Sequence, residues 1–516
     1  MDTTKTSKRF DLHKFFKTTP GEGLQPKEVI SYSLAGLGQN IICALVSSFS
    51  IYYFTNGLKI DPILVGLILL FIRLFDALND PIMGSIVDKT QTKDGKFRPY
   101  LKHTAIPIAV LTVLLFLPFP TAEGSAPTPF ITIFLVVAIY LVWSIVYTVI
   151  DVPYWGLSTS LSNETHQRGV TLTVARLLCT IGAGVVGLLV PVFTGAWTSG
   201  FFDDQGQPLP GTTDQISDVL KDNFWILVLV LSAISVPLFY LGFKNTKERF
   251  FNKEDVRPLK ENLKLLFKNK PLVLIVISGI LGSAKMIYMY ANMYLAQYNI
   301  GAVLGDTKIL GMAGVGLATI ITLSNVPGGL VATVLVPWCT RKFGKRNTFI
   351  YSHIFAGLVM IAMTIVGWDT PAKLAINLVG LILVGVAQGF SNILTYAMIA
   401  DTVEYTELHE GKRAEGICFA MQTFISKIGM AIGAAVFCFG LGWSNIDVNV
   451  ESTWGMANKE GLNVLYLVCI LVPGISMLLS VIPLFFYKFN EKEQTEAVAV
   501  IMARKGIDRH GNKVAE

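Results

Sequence analysis

Leu74-Phe-Asp76-Ala-Leu-Asn79-Asp80-Pro81-Ile-Met-Gly84 lies inside an apolar run, Ile63 to Val87, long enough to span a bilayer. Residues at i and i+4 share a helix face. Asp76 and Asp80 therefore point the same way, with Arg73 and Asn79 close by. A charged side chain near the bilayer centre costs roughly 2.5–3.5 kcal/mol on insertion scales. Lipid offers nothing to offset that for Arg73, Asp76 and Asp80. A polar cavity that holds a cation does.

The rest of the chain agrees with a membrane setting. It has 516 residues, a mean hydropathy of +0.55 and only 15% charged residues, the profile of a polytopic membrane protein. The first 28 residues are polar and basic, with no short apolar stretch before a small-residue cleavage site, so no cleavable signal peptide is visible. Cys43, Cys179, Cys339, Cys418, Cys438 and Cys469 are scattered singly, without metal or redox spacing. The net charge of +6 is no sign of nucleic-acid binding, because the basic residues cluster at membrane edges.

Twelve candidate spans run approximately 29–55, 62–87, 102–119, 129–156, 168–195, 224–243, 271–297, 309–337, 347–367, 373–399, 416–441 and 460–487. Their connections sort by charge. One set holds the amino-terminal arm, Lys89 to Arg98, Lys244 to Lys270, Arg341 to Arg346, Lys412/Arg413 and the tail from Lys488. In the other set, 120–128 has no Lys or Arg and 197–223 has only Lys221. Positive loops stay in the cytoplasm, which puts both termini inside a multi-pass protein of the cell membrane.

The connection from Phe243 to Lys270 carries nine Lys/Arg and splits the chain into two six-span halves. Its stretch Pro258 to Phe267 reads as an amphipathic surface helix. The halves echo each other: Gly95-Lys-Phe-Arg98 follows span two, and Gly344-Lys345-Arg346 follows span eight. Such an internal repeat describes the major facilitator architecture, an all-α membrane fold of twelve transmembrane helices. The organisation expected is a cytoplasmic arm 1–28, a six-helix bundle 29–243, a cytoplasmic linker 244–270, a second bundle 271–487 and a cytoplasmic tail 488–516. The insert from Ala196 to Asn223, rich in Gly, Pro and Asp, reads as an extracellular loop.

Four spans carry ionisable groups away from their ends. These are Arg73, Asp76 and Asp80 in span two; Asp151 in span four; Arg176 in span five; and Lys427 in span eleven. Such residues face an interior cavity and pair with one another. Asp76 and Asp80 offer carboxylates, Asn79 an amide oxygen and Thr148 a hydroxyl, a set of ligands suited to a small hard cation. The Asp pair alone fits a proton as well as sodium; Asn79 and Thr148 tilt it to sodium. Trp155 lies four residues after Asp151, on the same face. A carboxylate beside an indole holds a sugar, by hydroxyl hydrogen bonds and by stacking on the pyranose. Asp88, Lys89, Arg98, Asp401, Glu404, Glu407 and Arg413 sit at cytoplasmic span ends, where they are expected to form ion pairs between the halves. His103, His166, His353 and His409 form no cluster, and no catalytic triad, metal-ligand spacing or phosphate loop is present.

Three stretches carry a family resemblance. They are Arg73 to Gly84 continuing to Gly95-Lys-Phe-Arg98-Pro; Tyr147-Thr148-Val-Ile-Asp151-Val-Pro153-Tyr-Trp155; and Asp401-Thr-Val-Glu404-Tyr405 with Gln422-Thr423 and Lys427. On these the chain resembles the glycoside–pentoside–hexuronide:cation symporters, the melibiose permease group of the major facilitator superfamily, over roughly 29–490. The resemblance implies sugar entry coupled to sodium, lithium or protons by alternating access. It implies a cation site at Asp76, Asn79, Asp80 and Thr148, a sugar site at Asp151, Trp155 and Arg176, and a coupling role for Lys427 with Arg73 nearby. In span one the melibiose branch has an acidic sugar ligand; here the stretch is Gly38-Gln39-Asn40. Gln39 and Asn40 thus join the expected sugar site, and a galactoside preference does not carry over. A less anionic pocket suits an acidic sugar paired with Arg176.

The leading expectation is a secondary sugar transporter working as a monomer in the bilayer, with a cation and a sugar as its partners, no nucleic acid and no cofactor beyond the coupling ion. A sodium-dependent lysolipid carrier would instead need a greasy cavity. A non-transporting sugar sensor would add a signalling domain or long tail, and the tail from Lys488 is short. An enzyme lacks its catalytic constellation.

Overall fold

The computed structural model describes residues 24–90, 92–121, 127–162, 165–198, 200–201, 208–249, 267–305, 307, 309–310, 314–411, 415–448 and 450–505. All of the expected surface helix Pro258–Phe267 but its last residue lies outside these, as do Arg413, one of the expected ion-pair residues, and the side chain of Asp88.

Long apolar runs become helices because a bilayer leaves backbone polar groups no partner but the helix itself. Six form the first half: α1 (Pro26–Tyr52), α2 (Pro62–Lys89), α3 (Arg98–Leu115), α4 (Phe130–Leu161), α5 (Thr165–Trp197) and α6 (Thr212–Asn245). The second half holds α7 (Lys270–Leu281), α8 (Ile287–Tyr294), α9 (Ala318–Phe343), α10 (Lys345–Val366), α11 (Pro371–Glu410), α12 (Glu415–Trp443) and α13 (Lys459–Phe485), followed by α14 (Glu491–Lys505). Starts are marked locally. Proline opens α1, α2 and α11, and the side chains of Asp61 and Asn269 each accept from a backbone N–H one turn on, at 3.0 Å.

A helix stands at each of the twelve expected positions. Nine are long and apolar enough to cross a membrane among the described residues, and the bent pair Lys270–Leu281 and Ser283–Leu304 makes ten. The outer faces are greasy: Val334 is 77% and Ile365 81% exposed. α1 is the inner post, with 72% of its apolar window buried against 33% for α4.

Two elements differ from expectation. Span seven is not one straight helix but bends by 50° after Leu281. The Gly282-Ser283 pair sits at the break, a usual place for a kink, and a 3₁₀ turn, Ser283–Met286, follows. The insert 196–223 is not all loop, because its last part is helical. α6 starts at Thr212, after Gly211 at φ 79°, and Asp214 in its first turn suits the helix N-terminus and pairs with Lys59.

The internal repeat is built from matching contacts. In the first half Glu248, just after α6, accepts from the backbone N–H groups of Lys96, Phe97 and Arg98, each at 2.8 Å, and so caps α3. In the second half Glu491, just after α13, accepts from Lys345 N at 2.5 Å at the start of α10. Arg98 donates to Phe243 O at the end of α6, as Arg346 donates to Leu484 O and Phe485 O at the end of α13. Gly95 (φ 116°) and Gly344 (φ 80°) precede the two caps, where a Cβ would lie 2.5 Å and 2.8 Å from the capping carboxylate. Only glycine fits either place.

Replacing Glu248 by Ala leaves three backbone donors without their acceptor. At about 1.5–3 kcal/mol for a hydrogen bond to a charged group, Glu248→Ala is expected to lower the melting temperature of the detergent-solubilised protein by several degrees, and Glu248→Gln by less. An unchanged melting curve for Glu248→Ala would show that water replaces the cap freely.

Candidate functional site

α2 and α12 cross between the halves in mid-membrane and bring the charged residues together. Lys427 Nζ lies 2.5 Å from Asp80 Oδ1 and 3.2 Å from Asp76 Oδ2. Thr148 on α4 donates to Asp76 Oδ1 at 2.9 Å and reaches Asp80 Oδ1 at 3.3 Å. Arg73 stands behind, 3.9 Å from Asp76 and 3.5 Å from the Tyr140 hydroxyl. Asp76, Thr148, Arg73 and Lys427 are buried, whereas Asp80 is partly open. Asn79 shares this helix region, and its buried Nδ2 has no partner among the described residues. Oxygens from two helices therefore converge on one point, and the ammonium of the other half sits there.

Three of the residues expected at a sugar site, Gln39, Trp155 and Arg176, gather around Asp151. Gln39 on α1 donates to Asp151, and Trp155 Nε1 donates to the same oxygen at 3.1 Å. The Arg176 guanidinium lies 4.1 Å over the Trp155 ring and 5.2 Å from the Tyr396 ring of α11. One indole face, expected to be free for a sugar, thus carries Arg176 instead. Asn40 does not join them, because its amide donates to Gly36 O on its own helix at 3.1 Å.

Arg98, Asp401 and Glu404 do not form the ion pairs expected between the halves at the basic ends. Arg98 is held by Phe243 O, Asp401 takes Lys345 at 2.7 Å, and Glu404 accepts from Gln494 of α14 at 2.7 Å. Each bond stays inside one half, because these side chains fasten neighbouring helix ends to one another.

The chain matches the MFS/sugar transport protein family over residues 31–491. It belongs to that family. It is a transporter and not an enzyme. This transporter is similar to the isoprimeverose transporter of Lactiplantibacillus pentosus, at 28% identity over 90% of this chain and 89% of that protein. It is 27% identical to the glucuronide carrier protein homolog of Escherichia coli (strain K12), over 94% of this chain and 97% of that protein. Among solved structures it resembles the nucleoside transporter NupG (TM-score 0.59, 16% identity, 89% of this chain and 100% of that one). It also resembles a D-xylose-proton symporter (TM-score 0.59, 13% identity, 90% and 97%). At these identities the structural likeness concerns the fold alone.

Two parts of the transporter escaped sequence reasoning. The first closes the halves on the face away from the basic loops. α1 runs into a π turn at Tyr53–Gly57, and α8 into another at Leu295–Ile300. Tyr52 donates to Gln297 at 2.7 Å, Thr55 and Tyr294 hydroxyls meet at 2.5 Å, and Tyr298 donates to Asn56 at 3.0 Å. All six side chains are buried. Their ordinary polar character gave no signal, except that Asn56 and Gln297 sit in apolar runs. The second is Lys285 in span seven and His353 in span nine, which line one cavity in the second half. Lys285 met the same test as Arg176, an ionisable group away from the span ends, and His353 is not isolated.

Buried polar bonds of this kind hold one closed arrangement. The double variant Asn56→Ala/Tyr298→Phe is expected to loosen this face. Spin labels near the ends of α1 and α8 should then show a second, longer distance. A single unchanged distance would place the hold elsewhere, at the α2–α12 contact.

Proposed function

We propose that this protein is a cation-coupled symporter that brings a sugar or glycoside into the cell by alternating access, with sodium as its coupling ion. The observation that carries the reading is the oxygen cluster of Asp76, Asp80 and Thr148, with Lys427 of the opposite half at its centre. Sodium favours oxygen ligands, and Asn79 can turn its amide oxygen toward it. A sodium ion between the carboxylates takes over the charge that Lys427 now balances. The ammonium is then free to leave, and the tie between the halves changes. Ion binding and domain movement are in this way one event. A proton or lithium ion is the alternative occupant, and a proton on Asp80 would release Lys427 by the same logic.

The positive-inside rule makes the basic face cytoplasmic. The buried contacts of α1 with α8 then seal the extracellular side, and the conformation faces inward. On this reading both termini lie in the cytoplasm, the six-helix bundles of 29–243 and 271–487 move against each other as a monomer, and the basic connection 244–270 joins them. The sugar binds beside Asp151, Trp155 and Arg176, with Gln39 orienting the carboxylate. Relatives named for isoprimeverose and glucuronide transport support a sugar cargo. A lysolipid carrier finds little support, since the apolar cavity of about 170 Å³ near Trp368 and Leu374 is lined by none of the charged residues.

In proteoliposomes, Asp80→Cys is expected to abolish sodium-driven sugar accumulation while leaving part of downhill exchange. Accumulation that persists under a sodium gradient would remove Asp80 from the cation site. Asp151→Asn should weaken sugar affinity by about 1.5–3 kcal/mol, the usual worth of a hydrogen bond to a charged group, and change sodium binding without sugar far less. The reverse pattern would assign Asp151 to the cation.

A further inference from the structure

Lys285 sits at the bend of span seven, on the 3₁₀ turn after Gly282. Its Nζ donates to the Ser391 hydroxyl at 2.7 Å. No carboxylate pairs with it among the described residues. The interior acids are engaged elsewhere: Asp76 and Asp80 with Lys427, Asp401 with Lys345, Asp151 with Gln39 and Trp155. An ammonium this deep in a bilayer calls for an anion.

The ammonium borders a cavity of about 60 Å³, room for a few water molecules, lined by Lys285, His353, Ser391, Asn392, Gln422 and Ser426. Two further polar atoms there lack partners among the described residues. His353 is 1% exposed, and its Nε2 has none. Its Nδ1 faces Phe349 O at 3.0 Å, which assigns the proton to Nδ1 and leaves Nε2 a lone-pair acceptor. Gln422, 9% exposed, has its Oε1 unpartnered, a second acceptor. One cation beside two acceptors suits a ligand with one anionic group and neighbouring hydroxyl donors. Fully ionised inorganic anions offer no donors. Two of its lining residues stand next in sequence to residues of the sites already described. Thr395 lines it, and the next residue, Tyr396, meets Arg176; Ser426 lines it, and the next residue is Lys427.

We propose that this cavity is the subsite for the carboxylate of a uronic-acid sugar, with Lys285 as its counter-ion and His353 and Gln422 accepting from the adjacent hydroxyls. The substrate class is then hexuronides, an assignment that rests on the symporter reading above.

The test uses the full chain in proteoliposomes, with 4-nitrophenyl β-D-glucuronide and 4-nitrophenyl β-D-glucopyranoside as paired probes. The wild type is expected to show a KM at least tenfold lower for the glucuronide. Lys285→Gln should raise that KM tenfold or more and move the glucoside KM far less. Equal handling of the two probes by the wild type, or equal loss of both in Lys285→Gln, overturns the proposal. Ser391→Asp gives Lys285 an internal carboxylate and asks the same question in a protein whose buried charge is balanced. It should lose the glucuronide selectively, and unchanged glucuronide handling overturns the proposal. Binding of both probes to the solubilised protein separates the two readings. If neither probe is transported but glucuronide binding still depends on Lys285, the symporter reading fails and the subsite stands.

Discussion

The ammonium of Lys427 between Asp76 and Asp80 is the interaction on which the rest of the structure depends. It joins one half to the other at mid-membrane, where water is scarce and charges are little screened. Removing one partner of such a pair leaves an uncompensated charge, which is far more costly than losing the pair whole. Thr148 and Arg73 add a hydroxyl and a second cation to the same two carboxylates. The cluster is therefore balanced, but balanced by a group that belongs to the other half. A small cation could satisfy the same oxygens without tying the halves together.

Around that centre the two halves are fastened alike. Glu248 and Glu491 each cap the third helix of their half, beside a glycine that no other residue could replace. Arg98 and Arg346 clamp the carbonyl end of the sixth. These contacts bind helix ends within each bundle. The bundles meet chiefly through α2 with α12, α5 with α9, and α1 with α8. Two π turns, at Tyr53–Gly57 and Leu295–Ile300, meet at the last of these and widen each helix just where its polar side chains interlock.

Much was legible in the chain alone. Apolar runs marked the helices, because a bilayer forces backbone groups to pair within one segment. The i,i+4 spacing of Asp76 and Asp80, and of Asp151 and Trp155, put each pair on one face, because helix geometry is local. The basic turns at Gly95 and Gly344 exposed the repeat. The bend after Leu281 was less visible, since a Gly-Ser pair permits a kink without requiring one.

Sequence by itself determined which residues bear charge inside the membrane and which of them share a helix face. Only the tertiary structure decided who meets whom across helices. It set Gln39 rather than Asn40 against Asp151, laid Arg176 on the Trp155 ring, and kept Arg98, Asp401 and Glu404 within their own halves. It also brought Lys285 on span seven to His353 on span nine, 68 positions apart by their numbers. The reason is physical: spacing along one helix follows from its pitch, whereas distance between helices follows from the packing of whole bundles, which no local pattern encodes.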